Sequence, residues 1–269
     1  MTDFKNVHEY PLKAALMAAE AIMRIYKQDF EKYAKADGSP VTKADLTSSA
    51  IISEELKKTG LPITGEETAK APFSERKKWR KSWCVDPLDG TKEFIKKNDE
   101  FVINIALIED QKPTFGLIAS PVLEKIILGG PEFGAYSFPF EASDSFDSWE
   151  KLPAIEDLNS PLQVISSRSH YSGDLLTLIK LIENDYGRVN SKKMGSALKF
   201  FDLVTGKADV YPRFAPTMEW DIAAGQAIYE SVGGRVWQRG KGQPLIYNKE
   251  NLLNPFFVAN KKIMSVDLT

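Results

Sequence analysis

The stretch Asp86-Pro87-Leu88-Asp89-Gly90-Thr91 directly follows the apolar run Trp83-Cys84-Val85. That run predicts a short strand from Ser82 to Val85, so the two aspartates would lie where a buried strand ends. Residues three apart in a strand point to opposite faces. Asp86 and Asp89 therefore share one site only if the chain turns between them. The proline in the stretch, whose φ is held at about −65°, favours such a turn.

The second half of the stretch predicts a place for a ligand. The Leu88 carbonyl lies on the inside of the predicted turn, Gly90 permits a close backbone approach, and Thr91 begins a helix with unpaired N–H groups. Carboxylate and carbonyl oxygens bind hard cations such as Mg²⁺, and a helix start binds phosphate. The alternative is an ordinary surface turn, because Asp, Pro and Gly are common turn residues. Two close aspartates would repel each other, however, and a cation removes that repulsion.

Three further acidic positions have simple structural explanations when each is taken alone. Adjacent glutamates, as in Gly65-Glu66-Glu67, are usually a solvated pair. Asp221 would lie in the first turn of a helix, where the helix dipole favours an acid. Thr42-Lys43-Ala44-Asp45 has the form of a capping box, which explains Asp45 without any chemistry. These acids indicate a metal site only in combination with Asp86 and Asp89.

The composition is that of an ordinary globular protein of 269 residues, with 43% hydrophobic and 27% charged residues. The formal net charge of −2 provides no basic field for nucleic acid or an anionic membrane, so an anionic substrate would need local help from cations or from a few placed Lys and Arg. Cys84 is the only cysteine, which fits a reducing compartment. Residues 1–13 lack a signal-peptide core, and the apolar run 101–108 is too short to span a bilayer. We therefore expect a cytoplasmic protein without a transmembrane segment. Weak attachment to the inner membrane and the oligomeric state are left open.

Apolar periodicity divides the chain into two kinds of pattern. In the first part it predicts helices at 11–28 and 42–58 and strands at 101–108, 114–120 and 124–128. Residues 137–161 have no clear period, and we place a domain boundary there. Beyond it the pattern predicts strands at 164–166, 208–211 and 255–259 and helices at 172–184 and 219–232. Between these helices, Ser196 would N-cap a further helix that ends near Gly206. We therefore expect an α+β half that binds metal, residues 1–150, and an α/β half that determines substrate specificity, residues 151–269.

Three segments, taken in their order along the chain, resemble the signature of the inositol monophosphatase-like superfamily. This superfamily comprises Mg²⁺-dependent, lithium-sensitive phosphatases of sugars and nucleotides. They are Glu66-Glu67, Asp86 to Thr91, and Trp220-Asp221-Ile222-Ala223-Ala224-Gly225. One branch is more similar still, the bacterial CysQ-type 3′(2′),5′-bisphosphate nucleotidases. In that branch the glycine-threonine step continues as Lys92-Glu93-Phe94-Ile95, where the inositol enzymes usually have Thr-Asn-Phe. Segments 104–108, 167–170, 195–200 and 211–214 also match, so the resemblance runs from about residue 12 to about residue 260.

The resemblance implies a layered α/β/α/β/α sandwich with the active site between its halves. It implies that two or three Mg²⁺ ions are held by Glu66, Asp86, the Leu88 carbonyl, Asp89 and Asp221. It also implies that Thr91, paired with Asp45, activates the attacking water. The implied substrate-binding residues are Glu66, Leu88, Asp89, Gly90, Thr91, His170, Ser196, Lys199, Arg213 and Asp221. Gly65 and Ala197 depart from the pattern of close relatives, and we expect little consequence from either.

The activity implied is hydrolysis of adenosine 3′,5′-bisphosphate to AMP and phosphate, which would recycle a by-product of sulfate assimilation. His170 would contact the adenine, while Lys199 and Arg213 would contact the 5′ phosphate or the ribose. Each of these three also has a plainer interpretation, as an exposed histidine before a helix or as a solvated charge. An inositol or fructose-bisphosphate phosphatase is the alternative enzyme, and a non-catalytic nucleotide- or metal-binding regulator is the alternative class.

Overall fold

The structure is a computed structural model that describes residues 4–35, 38–168 and 173–264. The helices in these residues, α1 to α7 in chain order, are Phe4–Tyr26, Lys43–Lys57, Phe73–Arg76, Thr91–Ile95, Gly173–Tyr186, Lys199–Val204 and Glu219–Ser231. The strands β1 to β9 are Lys32–Ala34, Pro40–Thr42, Ile63–Gly65, Lys81–Asp89, Val102–Glu109, Lys112–Ser120, Lys125–Gly130, Gly134–Pro139 and Glu150–Leu152. The strands β10 to β14 are Leu162–Ser166, Val189–Lys193, Val210–Arg213, Gly234–Gln238 and Phe257–Lys261. No helix among the described residues is both long and apolar enough to cross a bilayer.

Two sheets form the frame of the molecule. The larger sheet has the order β3-β4-β5-β6-β7-β8-β9, and its pairs are antiparallel except for the parallel pair β3–β4. The smaller sheet has the order β11-β10-β12-β14-β13 and mixes parallel with antiparallel pairs. A separate hairpin, β1–β2, lies before α2.

Helices cover both faces of each sheet, which gives five layers. On the outer face of the larger sheet, Ile22 of α1 and Ile52 of α2 share an apolar core with Ile105 of β5. The opposite face packs on α7, and a Cβ added at Gly116 of β6 would lie only 2.1 Å from the Ala224 carbonyl oxygen. Glycine is therefore required where this helix meets the sheet. The predicted α/β/α/β/α layering is confirmed.

The smaller sheet completes the layers on the other side of α6 and α7. Residues of both helices belong to the same buried cluster as Val236 of β13 and Phe257 of β14. On its far face, Leu178 and Ile182 of α5 pack in a third cluster with Val164 of β10. The predicted division into halves at residue 150 falls within β9 and stays a prediction.

Several element boundaries differ from those predicted. Helix α1 begins at Phe4 and passes through Pro11, because Val7 is buried in the same core and extends the apolar face of the helix. Helix α6 begins at Lys199 and its N-cap is Leu198, so Ser196, which has a φ of 43°, is not the N-cap that was predicted. The capping box before α2 is confirmed. Thr42 accepts a hydrogen bond from the Ala44 amide and donates its own amide to Asp45.

The stretch that carries Asp86 and Asp89 is also different from the prediction. Strand β4 does not end at Val85 but continues to Asp89, opposite β5. Asp86 pairs with Asn104 and Asp89 pairs with Val102, so the register shifts between them. A bulge of this kind bends the strand and redirects side chains, as the predicted turn was expected to do.

Candidate active site

A cleft of about 290 Å³ is lined by residues of both sheets and of the helices that join them. It is bounded by the end of β4, the start of α4, the segment before α6, the end of β12 and the start of α7. The predicted site residues that line it are Glu66, Asp86, Leu88, Asp89, Gly90, Thr91, Ser196, Lys199, Arg213 and Asp221. Asp45 lies behind Thr91 and is reached through it. His170 lies outside the described residues.

The bulge in β4 is held by hydrogen bonds to its own backbone. The Leu88 amide donates to Asp86 Oδ1 at 3.0 Å, and the Ser48 hydroxyl of α2 donates to the Pro87 carbonyl at 2.6 Å. Asp86 is 1% exposed. Its carboxylate therefore lies at the floor of the cleft in a backbone that has little freedom to move.

Asp89 connects the floor of the cleft to the second half of the chain. Its Oδ2 accepts a hydrogen bond from the Ala197 amide at 2.5 Å and another from Asn104 Nδ2 at 3.3 Å. The other polar atom of the buried Asn104 side chain, Oδ1, has no hydrogen-bond partner among the described residues. Asn104 was predicted only as part of a matching segment, and its contact with Asp89 depends on the register between β4 and β5.

Lys35, which follows β1, contacts two acids at the rim of the cleft. Its ammonium lies 2.6 Å from Glu66 Oε1 and also pairs with Glu67. Sequence reasoning did not identify Lys35, since nothing near it in the chain indicates a carboxylate partner. The lysine supplies the positive charge beside Glu66 that an acidic cluster needs.

Asp221 occupies the first turn of α7, as predicted. Its Oδ2 accepts a hydrogen bond from the Met218 amide at 2.9 Å, which caps the helix. Across the cleft, Thr91 Oγ1 donates to Asp45 Oδ1 at 2.8 Å. The hydroxyl thus has its hydrogen directed at Asp45 and its lone pairs free to accept.

Four carboxyl groups of the cleft have raised pKa values. Burial and the nearby carboxylates of Glu66 and Asp89 raise the pKa of Asp86 well above its usual value. Burial, followed by the charge of Asp89, raises the pKa of Asp221 to about 8. Burial also raises the pKa of Asp89, and that of Glu66 despite its contact with Lys35. Burial is the largest cause of all four shifts, because it disfavours the charged carboxylate, and neighbouring carboxylates add to it.

This set of residues fits divalent cations by its chemistry. Among the residues that the structure describes, no three Asp, Glu, His or Cys side chains have the arrangement of a formed metal site. All four acids instead contact donors of the chain itself: Lys35 on Glu66, Leu88 on Asp86, Ala197 on Asp89 and Met218 on Asp221. Buried carboxylates that repel one another would nevertheless be stabilised by a hard cation. The assignment of Glu66, Asp86, Leu88, Asp89 and Asp221 as ligands stays a prediction.

Two cations line the other side of the cleft. The ammonium of Lys199, which is 3% exposed, donates to the carbonyls of Met194 and Ser196 and lies 5.1 Å from the centre of the Tyr211 ring. Burial lowers the pKa of Lys199 to about 8. Arg213 donates from Nη2 to the Pro216 carbonyl at 3.0 Å, while its Nε is buried without a hydrogen-bond partner in the described part of the chain. An anion in the cleft would meet both side chains.

Comparison with known proteins identifies the family. The sequence pattern of the inositol monophosphatase family matches residues 3–264. The chain therefore belongs to the inositol monophosphatase family.

Two relatives of the same name are similar over nearly the whole chain. The 3′(2′),5′-bisphosphate nucleotidase CysQ of Salmonella typhimurium is 39% identical over 256 residues, which are 93% of this chain and 97% of the relative. The protein of the same name from Shigella flexneri is 38% identical over 247 residues, 89% of this chain and 94% of the relative.

Solved structures have the same architecture. The crystal structure of CysQ from Bacteroides thetaiotaomicron, described as a bacterial member of the inositol monophosphatase family, has a TM-score of 0.85 and 39% identity, and the match covers 97% of this chain and 99% of that one. The suhB protein of Bartonella henselae has a TM-score of 0.76 at 21% identity, with 98% and 96% of the two chains covered, and this second likeness shows the shared fold alone.

Proposed function

We propose that this protein is a Mg²⁺-dependent 3′(2′),5′-bisphosphate nucleotidase that hydrolyses adenosine 3′,5′-bisphosphate to AMP and phosphate. The main support is one cleft that has buried carboxylates on one side and the cations Lys199 and Arg213 on the other. A substrate with two phosphates needs both kinds of surface. The name and high coverage of the CysQ relatives agree with this assignment. The proposed setting is the cytoplasm, where the enzyme would recycle a by-product of sulfate assimilation.

The Thr91–Asp45 pair is the proposed water-activating device. Asp45 accepts the hydroxyl hydrogen of Thr91, so a Thr91 lone pair faces the cleft and can accept a hydrogen bond from water. That hydrogen bond turns the water's own lone pair toward phosphorus. Asp45 is 1% exposed and is held by Thr42 as well, so the Thr91 hydroxyl keeps its direction.

Bound Mg²⁺ would be held by Glu66, Asp86, the Leu88 carbonyl, Asp89 and Asp221, and it would supply charge neutralisation and a more acidic water. The remaining tasks belong to the chain itself. The amides of Gly90 and Thr91 are the proposed contacts of the scissile phosphate. Gly90 has a φ of 100°, a conformation that favours glycine, and a side chain on Gly90 would collide with Glu100 and Phe101. Glycine is therefore required at this turn.

The second phosphate is assigned to the cations of the cleft. Arg213 is the better candidate, because its buried Nε would gain the hydrogen-bond partner that it lacks among the described residues. The Lys199 ammonium already donates to two carbonyls and would act mainly through its charge. Ser196 and His170 are the remaining proposed contacts of the nucleoside.

The test is phosphate release from a panel of esters in Mg²⁺, with Li⁺ added and with a chelator added. Adenosine 3′,5′-bisphosphate is expected to be the best substrate, ahead of inositol 1-phosphate and fructose 1,6-bisphosphate, and chelation is expected to abolish turnover. Arg213→Ala should weaken use of the bisphosphate, whereas the matched change at a distant arginine, Arg80→Ala, should have no effect. A preference for inositol 1-phosphate, or activity that survives chelation, would refute the assignment.

A further inference from the structure

Glu100 connects the two sides of the cleft through its carboxylate. It lies between α4 and β5, and its side chain is only 16% exposed. Its Oε2 accepts hydrogen bonds from the Gly195 amide at 2.8 Å and from Arg168 Nε at 2.6 Å, and its Oε1 accepts from Arg168 Nη2 at 2.5 Å. One acid of the first half thus binds two separate segments of the second half.

The backbone of Glu100 is fixed on the other side by the proposed phosphate-binding turn. A Cβ added at Gly90 would lie 2.8 Å from the Glu100 carbonyl oxygen, so these two backbones are in direct contact. The next residue, Phe101, is fully buried, with its ring centre 5.1 Å from that of Phe94 and 4.8 Å from that of Tyr26. Glu100 therefore has little freedom to shift when its side chain is pulled.

Residues 194–199, called here the 194–199 segment, carry Ser196 and Lys199, two of the proposed substrate contacts from the second half. The Ala197 amide donates to Asp89, and the carbonyls of Met194 and Ser196 hold the Lys199 ammonium. Ser196 has a φ of 43°, a conformation that a serine keeps only when its surroundings hold it. The bond from Gly195 to Glu100 lies directly beside this residue.

We propose that Glu100 is a positioning residue that sets the separation between the Gly90 turn and the 194–199 segment, and so selects substrates with a second anionic group over small phosphate monoesters. This inference rests on the proposed function. A carboxylate is needed there because three N–H groups donate to its two oxygens. A glutamine would bring its own N–H group against one of these donors.

The kinetic test compares two substrates in the variants Glu100→Gln and Glu100→Ala. For adenosine 3′,5′-bisphosphate, kcat/KM should fall roughly 10- to 100-fold, mainly through KM, as expected for loss of a hydrogen bond to a charged group. For p-nitrophenyl phosphate, which has no second anion, kcat/KM should stay near that of the wild type. The matched control is Asp110→Asn, since Asp110 also accepts two hydrogen bonds from one arginine, Arg80, beyond the far end of β4. An equal loss on both substrates would overturn the proposal, because general damage to the fold predicts that result.

Hydrogen exchange gives a second readout that needs no substrate. Amides of the 194–199 segment should exchange faster in Glu100→Ala than in the wild type, and Asp110→Asn should leave them unchanged. Unchanged exchange in Glu100→Ala would overturn the positioning role even if activity fell. A wild-type enzyme that does not cleave the bisphosphate would refute the proposed function instead, and the exchange result would still decide whether Glu100 holds the segment.

Discussion

The two carboxylate oxygens of Asp45 have two different tasks, one in capping α2 and one in orienting the Thr91 hydroxyl. Oδ2 accepts from the Thr42 amide at 2.7 Å and from the Thr42 hydroxyl at 2.6 Å, which caps α2. Oδ1 accepts from the Thr91 hydroxyl at 2.8 Å. Substitutions on the two sides of this one carboxylate should therefore separate the stability of the helix from the rate of hydrolysis.

The change Asp45→Asn tests the second task. Two donors face the position of Oδ2, so the asparagine oxygen should take that place and its amide nitrogen should face Thr91. The hydrogen bond to Thr91 would then reverse, and a Thr91 lone pair would be occupied by the amide instead of by water. We expect kcat to fall roughly 10²- to 10⁴-fold, the usual effect of a positioned proton-transfer group. The free energy of unfolding should fall by about 1.5–3 kcal/mol, the range for a hydrogen bond to a charged group.

The change Thr42→Val tests the first task. It removes both the hydroxyl that donates to Asp45 and the acceptor for the Ala44 amide, but it leaves the Thr91 contact intact. The free energy of unfolding should fall by about 0.5–2 kcal/mol, as for loss of an N-cap. The rate at saturating substrate should remain close to that of the wild type.

The assay is phosphate release at saturating substrate and Mg²⁺, with denaturant unfolding measured on the same samples. Thr91→Ala should lose as much rate as Asp45→Asn and should bind Mg²⁺ normally by calorimetry. Full turnover in either variant would refute the water-activating role. A loss of rate in Thr42→Val as large as that in Asp45→Asn would show that the rate effect comes only from the helix cap.

Three further predictions concern charge. Asp86→Asn should raise the melting temperature of the chelator-treated protein, because it removes a buried carboxylate that other carboxylates repel. The same change should abolish the rise in melting temperature that Mg²⁺ produces. A lower melting temperature without metal would contradict this reasoning. The pKa of Asp221 is raised from 3.8 to about 8, so the folded state binds the proton more tightly than the unfolded state. Metal-free stability should therefore fall as the pH rises from about 4 to about 8, and this slope in thermal melts should be flatter in Asp221→Asn. Lys261→Met should cost about 3–5 kcal/mol in denaturant unfolding, because it leaves the fully buried Asp209, 2.7 Å away, without its ion-pair partner. The turnover of the folded fraction should not change, since neither residue lines the cleft.

Structural features that depend on residues close together in the chain were predicted correctly. The capping box of α2 and the acidic first turn of α7 depend on side chains within one helical turn, and both are present. The start of α6 was predicted wrongly, because the hydrogen bonds around Ser196 involve Glu100 and Asp89, which are remote in sequence. The bulge that replaces the predicted turn in β4 depends on the register with β5, which no local pattern records.

The amino-acid sequence by itself determined the class of fold and the acids of the cleft, because helical periodicity, strand-end carboxylates and the family signature are read along the chain. Only the tertiary structure decided which groups hold those acids in place. The amide that binds Asp89 is 108 residues away, the amide that binds Glu100 is 95 residues away, and Lys35 meets Glu66 across 31 residues. Contacts at such separations depend on how sheets and helices pack, because the residues next to a side chain in the sequence do not indicate a partner that is remote in the chain.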